Sequence, residues 1–127
     1  MAAVEARGFI VGSAVAVHLG CGFVPIRKAG SIHPGLKAER RTPPDWRGKE
    51  SILRVQRAAL GATDRVLLVD DWAETGSQAF TARTLIEECG ADYAGLSVLV
   101  DQLTPEARSK LAPVFSVTKH EEFGGRA

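Results

Sequence analysis

Two adjacent carboxylates and a turn rich in hydroxyl groups stand close together between residues 70 and 78. Asp70 and Asp71 follow an apolar run, and such a pair can accept hydrogen bonds from a vicinal diol or from water on a magnesium ion. Thr75 and Ser77 add hydroxyl groups on either side of Gly76, which allows a tight backbone turn. These residues predict a site for a phosphate monoester beside a diol. From this fragment alone, a solvated turn with a helix cap is an equally open interpretation.

The anion site requires a helix that begins at the turn, and the hydrophobic pattern predicts one. Residues 66–69 are apolar on both faces, which is typical of a central strand in a parallel sheet. A helix is predicted from Gly76 to Cys89, with Gly90 as its stop. The amides and the positive dipole end of that helix would face the ligand.

The rest of the chain continues this alternation of strands and helices. Further strands are predicted at 23–27, 52–55, 95–100 and 114–117, a closely packed helix at 8–20 with His18 in the core, and a helix start at Thr104 and Pro105. This order indicates an α/β domain with a mainly parallel sheet flanked by helices. Ligands bind such sheets beyond the carboxyl ends of the strands, where residues 70–78 fall.

Length and charge limit the kinds of partner. A chain of 127 residues is long enough for one hydrophobic core, so we expect a single domain, 1–127, with one site. Its 16 basic and 15 acidic residues give a net charge of +1 without a long block of one sign, which argues against a nucleic-acid or membrane surface. Cys21 and Cys89 have no CxxC partner and predict buried, reduced thiols in a cytoplasmic protein.

A segment of different character occupies about residues 29–49. It contains three prolines and several basic residues but no apolar periodicity. We predict a mobile loop without regular secondary structure. A loop of this length in a compact domain usually indicates either function or disorder.

Residues 66–78 have the sequence VLLVDDWAETGSQ, which resembles the motif that binds phosphoribosyl pyrophosphate (PRPP) in type I phosphoribosyltransferases. Three further segments look like adenine phosphoribosyltransferases, in the same order and at similar separations: EARGF at 5–9, GFVPIRK at 22–28 and KLAPVFS at 110–116. The chain is thus identified as a member of this family, of the adenine phosphoribosyltransferase type, over about residues 5–123.

The resemblance implies a type I phosphoribosyltransferase fold and transfer of ribose 5-phosphate from PRPP to a purine base, with release of pyrophosphate. It also implies a homodimer, and magnesium bound with PRPP near Asp70 and Asp71, which would hold the ribose hydroxyls. The residues implied for the 5-phosphate are Glu74, Thr75, Gly76, Ser77 and Gln78. Those implied for the pyrophosphate are Glu5, Ala6, Arg7, Gly8 and Lys28. Without the family, the charges of Arg7 and Lys28 would be taken as ordinary surface charge.

Glu74 departs from the pattern of the family. Adenine-specific members usually carry alanine at this position, whereas enzymes for 6-oxopurines carry an aspartate that faces the purine. We hypothesise that Glu74 is catalytic and takes or shares the proton of the attacking base. The alternative, equally open, is that its charge only favours the dipole of the nearby helix.

The predicted loop is a second departure. In adenine-specific enzymes this loop closes over the site and carries a tyrosine and a glutamate. Here residues 44–50 contain no tyrosine, and Arg47 falls about where that glutamate would be. Asp45 and Glu50 are nearby acids that could replace it, and Trp46 could stack on a base. For Trp72, packing is the first interpretation.

The start of the chain is the largest departure. Relatives carry a longer segment before the EARGF motif, whereas Met1 stands only four residues before Glu5. We therefore expect the hood over the base and the first strand to be reduced or missing, with residues 2–4 as a stub of a central strand and an apolar seam exposed beside it. Either the protein starts upstream, or it is a reduced form. A reduced form could complete its pocket by dimerising, or could bind PRPP without transferring it, as a noncatalytic or regulatory relative.

Overall fold

The computed structural model describes residues 1–30, 32 and 34–123. Within these residues the elements follow the order β1 (Ala2–Val4), α1 (Arg7–Leu19), β2 (Val24–Lys28), β3 (Lys37–Arg41), β4 (Ile52–Gln56), β5 (Arg65–Ala73), α2 (Ser77–Glu88), β6 (Asp92–Asp101), α3 (Pro105–Leu111) and β7 (Val114–Lys119). Short 3-10 helices cover Arg57–Ala59 and His120–Phe123. The predicted α/β class is confirmed. In the described part of the chain, no helix combines the length and apolar character needed to cross a bilayer.

The strands of the described chain form one sheet in the order β3-β4-β2-β1-β5-β6-β7. The five strands from β2 to β7 in this order are parallel, and β3 with β4 adds an antiparallel hairpin at one edge. This mainly parallel sheet confirms the prediction. All five parallel strands end at the same edge, so the loops that follow them can form one site.

The central strand β1 is short but complete enough to close the sheet. It pairs with β2 on one side and β5 on the other, and Ala2, Ala3 and Val4 are 0%, 0% and 3% exposed. The prediction of an exposed apolar seam beside this strand was therefore wrong. The seam is absent because a three-residue strand with a neighbour on each side satisfies its backbone and buries its side chains.

The helices α1 and α2 cover opposite faces of the sheet. A Cβ at Gly12 of α1 would lie 2.8 Å from the Cβ of Ala3, so that α1 can approach β1 only because residue 12 is a glycine. Ala2 and Val4 instead belong to the apolar core that includes α2 residues such as Leu85. Successive side chains of a strand point to opposite faces, which separates the two helices.

Only one face of α1 is buried, and this differs from the prediction of a helix enclosed in the core. Its buried residues are Gly8, Gly12 and Ala16, whereas Ile10 and Val17 are 74% and 82% exposed. His18 is exposed rather than part of the core, so that prediction was wrong. Small residues at a spacing of four define the buried face because the helix packs closely on β1.

The predicted structureless loop at 29–49 contains a strand, β3, and this part of the prediction was wrong. Ala38 is the one buried side chain of β3, so the strand leaves no apolar periodicity in the sequence. Its charges are paired instead: Glu39 with Arg54 on β4, and Arg40 with Glu88 on α2. Ser31 and His33, within the predicted loop, lie outside the described residues.

Other sequence signals are confirmed by the structure. Gly20 ends α1 with φ 66°, and Thr104 accepts a hydrogen bond from Ala107 N–H as the N-cap of α3. The strand β5 is longer than expected and includes Asp70 and Asp71, because its pairing with β6 continues to Ala73.

Both cysteines are free thiols, but Cys21 is exposed and Cys89 half-buried, so the prediction of two buried thiols was wrong.

Candidate active site

An open cleft of about 460 Å³ lies at the carboxyl ends of β1, β2 and β5. Twelve residues were predicted to contact PRPP, and all of them line this cleft: Glu5, Ala6, Arg7, Gly8, Lys28, Asp70, Asp71, Glu74, Thr75, Gly76, Ser77 and Gln78. They come from three separate parts of the chain, and the parallel order of the strands brings them together. What each residue does with a ligand stays a prediction.

The turn between β5 and α2 is built around Gly76. This residue has φ +81°, where L side chains are strained, and a Cβ there would lie 3.1 Å from Leu111 Cδ1 and 3.2 Å from Leu103 Cδ2. Glycine is therefore required both by the backbone conformation and by the space available. The tight turn directs the start of α2 at the cleft.

The first turn of α2 offers hydrogen-bond donors to an anion. No side-chain cap occupies the N-terminus of this described helix, so backbone amides of its first turn are available. Ser77 N–H makes a long bond of 3.3 Å to Thr75 Oγ1, and Thr75 Oγ1–H donates to Ser77 Oγ at 3.2 Å. The amides, the two hydroxyls and the positive end of the helix dipole are the donor set that a phosphate prefers.

Asp70 and Asp71 form a connected pair with Arg7. Asp70 Oδ1 accepts from Asp71 N–H at 2.8 Å, and Arg7 Nε lies 2.9 Å from Asp71 Oδ2. A Cβ at Gly8 would lie 3.0 Å from Asp70 Oδ1, so this glycine makes room for the carboxylate. Burial, and next the side chain of Asp71, raise the pKa of Asp70 to about 7, while the Asp71 amide and Arg7 act in the opposite direction.

The end of β2 is held by Glu5. Its carboxylate accepts a hydrogen bond from Lys28 N–H at 2.9 Å, and its own N–H donates to Ile26 O at 3.0 Å. The peptide bond between Glu5 and Ala6 is cis. Glu5 thus fixes the backbone at Lys28. Lys28 lines the cleft, and its ammonium group adds a positive charge there.

Glu74 directly follows the end of β5 at Ala73 and lies two residues before Gly76. It is half-buried and lines the cleft. This position is compatible with both interpretations from the sequence, a contact with the base or an effect on the nearby helix.

The connection from Thr42 to Ser51 forms a further wall of the cleft. Asp45, Trp46, Arg47, Lys49 and Ser51 line it. Glu50 is not among the lining residues and forms an exposed ion pair with Arg41 at 3.2 Å, and its role as a substitute for the lid glutamate stays a prediction. The sequence reasoning did not predict Lys49 and Ser51 as residues of the cleft. Asp45 followed three positions later by Gly48 is a typical turn signal, and it could have indicated that the chain folds back at this point.

Trp72 is anchored at the edge of the cleft. Its Nε1–H donates to Gln102 Oε1 at 2.9 Å, and its ring centroid lies 5.7 Å from that of His120. Its side chain also lines the cleft and is 40% exposed. The contacts with Gln102 and His120 agree with the packing interpretation, and the exposed part faces the cavity.

Comparison with known proteins identifies the family. No family model matches the chain. An adenine phosphoribosyltransferase from Streptomyces galbus is 42% identical over 110 residues, which cover 87% of this chain and 59% of that relative. The solved adenine phosphoribosyltransferase from Thermoanaerobacter pseudethanolicus superposes with a TM-score of 0.81 at 30% identity, covering 93% of this chain and 68% of that one. The chain belongs to the adenine phosphoribosyltransferase family.

A second solved member of the adenine phosphoribosyltransferase family supports the same assignment. The enzyme from Giardia lamblia, complexed with 9-deazaadenine, superposes with a TM-score of 0.82 at 33% identity and covers 93% of this chain and 67% of that one. These likenesses confirm the type I phosphoribosyltransferase fold predicted from the four sequence motifs. The chain spans about six tenths of the length of the curated relatives it matches.

Proposed function

We propose that the chain binds PRPP in this cleft and transfers its ribose 5-phosphate group to a purine base, with release of pyrophosphate, as a phosphoribosyltransferase of purine salvage. The observation that carries the proposal is the convergence of all twelve predicted PRPP residues on one cleft. The names of the relatives make adenine the first base to test. The activity of the protein as a whole is part of this proposal.

In this proposal the turn after β5 binds the 5-phosphate. The backbone amides at the start of α2, with the hydroxyls of Thr75 and Ser77, donate to its oxygens, and the helix dipole favours its charge. Asp70 and Asp71 accept hydrogen bonds from the ribose hydroxyls. Their short separation along β5 fits a vicinal diol.

Arg7 and Lys28 act on the leaving group. Both line the cleft, Arg7 at the start of α1 and Lys28 at the end of β2. The pyrophosphate gains negative charge as the glycosidic bond breaks, and fixed cations stabilise that charge in the transition state. Arg7 can reach the leaving group only if its link to Asp71 loosens or is shared, since the two lie 2.9 Å apart.

Magnesium is proposed to enter with PRPP. No group of three or more His, Cys, Asp or Glu side chains in the described chain is arranged to hold a metal by itself. The pair Asp70 and Asp71 nevertheless fits magnesium, which is commonly bound by one or two carboxylates together with substrate phosphates and water. When bound, the ion would supply charge neutralisation for the phosphate oxygens.

Glu74 is proposed as the general base for the purine. The proposal is supported by the place of Glu74 in the lining of the cleft, two residues before Gly76, from which its carboxylate would accept the proton of the attacking base. Replacing Glu74 by Gln keeps the size of the side chain and removes the charge. Turnover should fall about 100-fold or more, the scale of one acid–base group, while PRPP affinity is retained.

The matched control for this variant is Glu106→Gln, since Glu106 is an exposed acid on α3. Its turnover should equal that of the unmodified protein. If Glu74→Gln lowers the melting temperature but leaves turnover unchanged, Glu74 acts only on the helix dipole and the general-base proposal is wrong.

The function itself is tested by incubating the protein with PRPP, magnesium and each of a panel of bases: adenine, hypoxanthine, guanine, xanthine and the pyrimidines. Chromatography of the products should show a purine nucleoside monophosphate and pyrophosphate. Tight PRPP binding without any nucleotide would contradict the transferase and leave only a PRPP-binding role. A melting temperature unaffected by PRPP would contradict binding as well.

A homodimer and a cytoplasmic location complete the proposal. The exposed apolar side chains Ile10 and Val17 on α1 support self-association. Neighbouring apolar side chains on a protein surface are often covered by a partner protein. The free thiols of Cys21 and Cys89 agree with a reducing compartment. Sedimentation equilibrium should give twice the chain mass; a monomer at all concentrations would contradict the dimer.

A further inference from the structure

The turn between β5 and α2 is packed from behind by three apolar side chains. A Cβ at Gly76 would lie 3.2 Å from Leu103 Cδ2, 3.1 Å from Leu111 Cδ1 and 3.8 Å from Ala107 Cβ. These three side chains are not among the described residues that line the cleft. The side of Gly76 that a side chain would occupy is therefore filled by α3 and by the segment before it.

The connection between β6 and α3 is also bonded to the strand that enters the turn. Gln102 N–H donates to Ala73 O at 2.8 Å, and Gln102 Oε1 accepts from Trp72 Nε1–H at 2.9 Å. Ala73 is the last residue of β5 and lies three residues before Gly76. One short connection thus holds the entry to the turn by hydrogen bonds and packs against the turn itself through Leu103.

A buried ion pair anchors this connection. The side chain of Asp101, the last residue of β6, is 1% exposed, and its Oδ2 pairs with Arg108 of α3. Its other oxygen, Oδ1, accepts a hydrogen bond from Leu103 N–H at 2.9 Å. Hydrogen bonds to an ionised carboxylate are stronger than those between neutral groups. Asp101 therefore fixes the backbone of Leu103, and Arg108 holds the carboxylate that does so.

The far end of α3 is held as well. Tyr93 O–H donates to Leu111 O at 2.7 Å, and Arg83 Nη1–H donates to Lys110 O at 2.7 Å. Arg83 belongs to α2, the helix that begins at the turn, and Leu111 is 0% exposed. Because α3 is attached at both ends, the apolar side chains behind the turn form a rigid support.

The donors at the start of α2 depend on this support for their position. Gly76 is the N-cap of α2, and its carbonyl accepts the first bond of the helix, from Phe80 N–H at 2.8 Å. No side chain caps the N-terminus of this described helix, and Ser77 N–H makes only the long bond of 3.3 Å to Thr75 Oγ1. Packing at Gly76 therefore sets the direction of these amides. Donors act best on an anion when they are fixed before it arrives.

We propose that Leu103 is a positioning residue for the turn that binds the 5-phosphate, and that the pair of Asp101 with Arg108 holds Leu103 in place. The inference rests on the proposed function. It assigns part of the phosphate affinity to side chains that do not touch the ligand. Because the support lies behind this turn, it acts on ligands that carry the 5-phosphate and not on pyrophosphate alone.

Calorimetric titration of Leu103→Ala, well below its melting temperature, tests the positioning role. The ligands are ribose 5-phosphate, magnesium-PRPP and magnesium-pyrophosphate. The affinities for ribose 5-phosphate and PRPP should fall about tenfold, the scale of one weakened hydrogen bond to a charged group. The affinity for pyrophosphate should stay the same. Leu103→Met keeps nearly the same volume and should bind all three ligands as the unmodified protein does.

The matched control is Leu60→Ala. Leu60 belongs to the apolar core, is 7% exposed and is not among the described residues that line the cleft. The same truncation there removes packing at a distance from the turn and should leave the binding of all three ligands unchanged. If Leu60→Ala weakens ribose 5-phosphate as much as Leu103→Ala does, the effect is a general loss of stability and the positioning role is overturned.

Arg108→Met tests the anchor by the same titrations. Without its cation the carboxylate of Asp101 no longer fixes Leu103, so ribose 5-phosphate should bind more weakly while pyrophosphate binds normally. Arg57→Met, which removes an exposed arginine outside the cleft, controls for the loss of one positive charge and should bind both ligands normally. Unchanged ribose 5-phosphate binding in Arg108→Met would overturn the anchor.

The outcomes separate this inference from the proposed function. If the unmodified protein and Leu103→Ala bind ribose 5-phosphate equally well, the positioning role is overturned and the function stands. A loss of pyrophosphate affinity as large as that for ribose 5-phosphate would also overturn it, because the whole cleft would then be disturbed. If the unmodified protein binds neither ribose 5-phosphate nor PRPP, the proposed function is contradicted together with the inference.

Discussion

Gly76→Ala is expected to destabilise the folded protein by about 2–5 kcal/mol. Part of this cost is conformational: Gly76 has φ +81°, and a left-handed conformation costs a residue with a Cβ about 1–2 kcal/mol. The remainder is steric, because the new methyl would lie 3.1 Å from Leu111 Cδ1 and 3.2 Å from Leu103 Cδ2. Forcing a methyl into packed surroundings costs about 1–3 kcal/mol. Both leucines belong to or border the core, so neither can move freely.

Gly20→Ala is the matched control for this prediction. Gly20 has a similar φ of +66°, but nothing lies within 4 Å of the position its Cβ would take. It should therefore show only the conformational cost of about 1–2 kcal/mol. Urea denaturation of both variants measures the difference, and PRPP binding should be weakened only in Gly76→Ala. Equal destabilisation of the two variants would refute the reasoning about crowding at the turn.

Three further predictions concern α3 and its surroundings. Burial is the main cause that raises the pKa of the single tyrosine, Tyr93, from 10.0 to about 12. Folding therefore favours the neutral phenol. The resulting stabilisation of the folded state is fully present below pH 10 and is lost as the pH rises through about 12. Phenolate absorbance should give that midpoint. Thr104→Ala removes the N-cap bond to Ala107 N–H, 3.2 Å long, and should cost about 1 kcal/mol in urea denaturation. Arg108→Met leaves the carboxylate of Asp101, 1% exposed, without its cation, and should cost about 3 kcal/mol by the same method.

Each of these predictions has a control on the same element or in the same sample. In denaturant the phenol of Tyr93 should titrate near its ordinary value of 10.0, and an equal midpoint in the folded protein would contradict the effect of burial. Ser109→Ala, at an exposed position of α3, should change stability by less than about 0.5 kcal/mol. Lys110→Met breaks an exposed pair with Glu106 and a contact of the ammonium with the Phe80 ring, 5.9 Å from its centroid, and should cost less than about 1 kcal/mol. An effect of Thr104→Ala or Arg108→Met as small as these would show that the cap or the buried pair is not stabilising.

The features that the sequence predicted correctly are local ones. The strand β5 appears as an apolar run, and the turn after it contains a glycine that the backbone requires at φ +81°. Single residues indicate two helix ends: Thr104 is the N-cap of α3, and Gly90 follows the end of α2. Parallel order then follows from strands that alternate with helices, and it brings the ends of β1, β2 and β5 to one edge.

The features that were missed depend on partners far along the chain. The strand β3 buries one alanine and forms ion pairs such as that of Arg40 with Glu88. A local sequence pattern does not predict a pair between residues so far apart in the chain. The link of Arg7 to Asp71 likewise joins two distant motifs. For α1, the small residues that face the sheet were visible, but the exposure of Ile10 and Val17 depends on which side the sheet occupies.

Whether the turn after β5 binds the sugar phosphate is measured most directly by nuclear magnetic resonance of the isotope-labelled protein during titration with magnesium-PRPP. The amides of Gly76, Ser77 and Gln78 should shift together and saturably, and ribose 5-phosphate should shift the same amides. If PRPP leaves Gly76, Ser77 and Gln78 unshifted, or shifts only residues outside the cleft, the assignment of this site is contradicted.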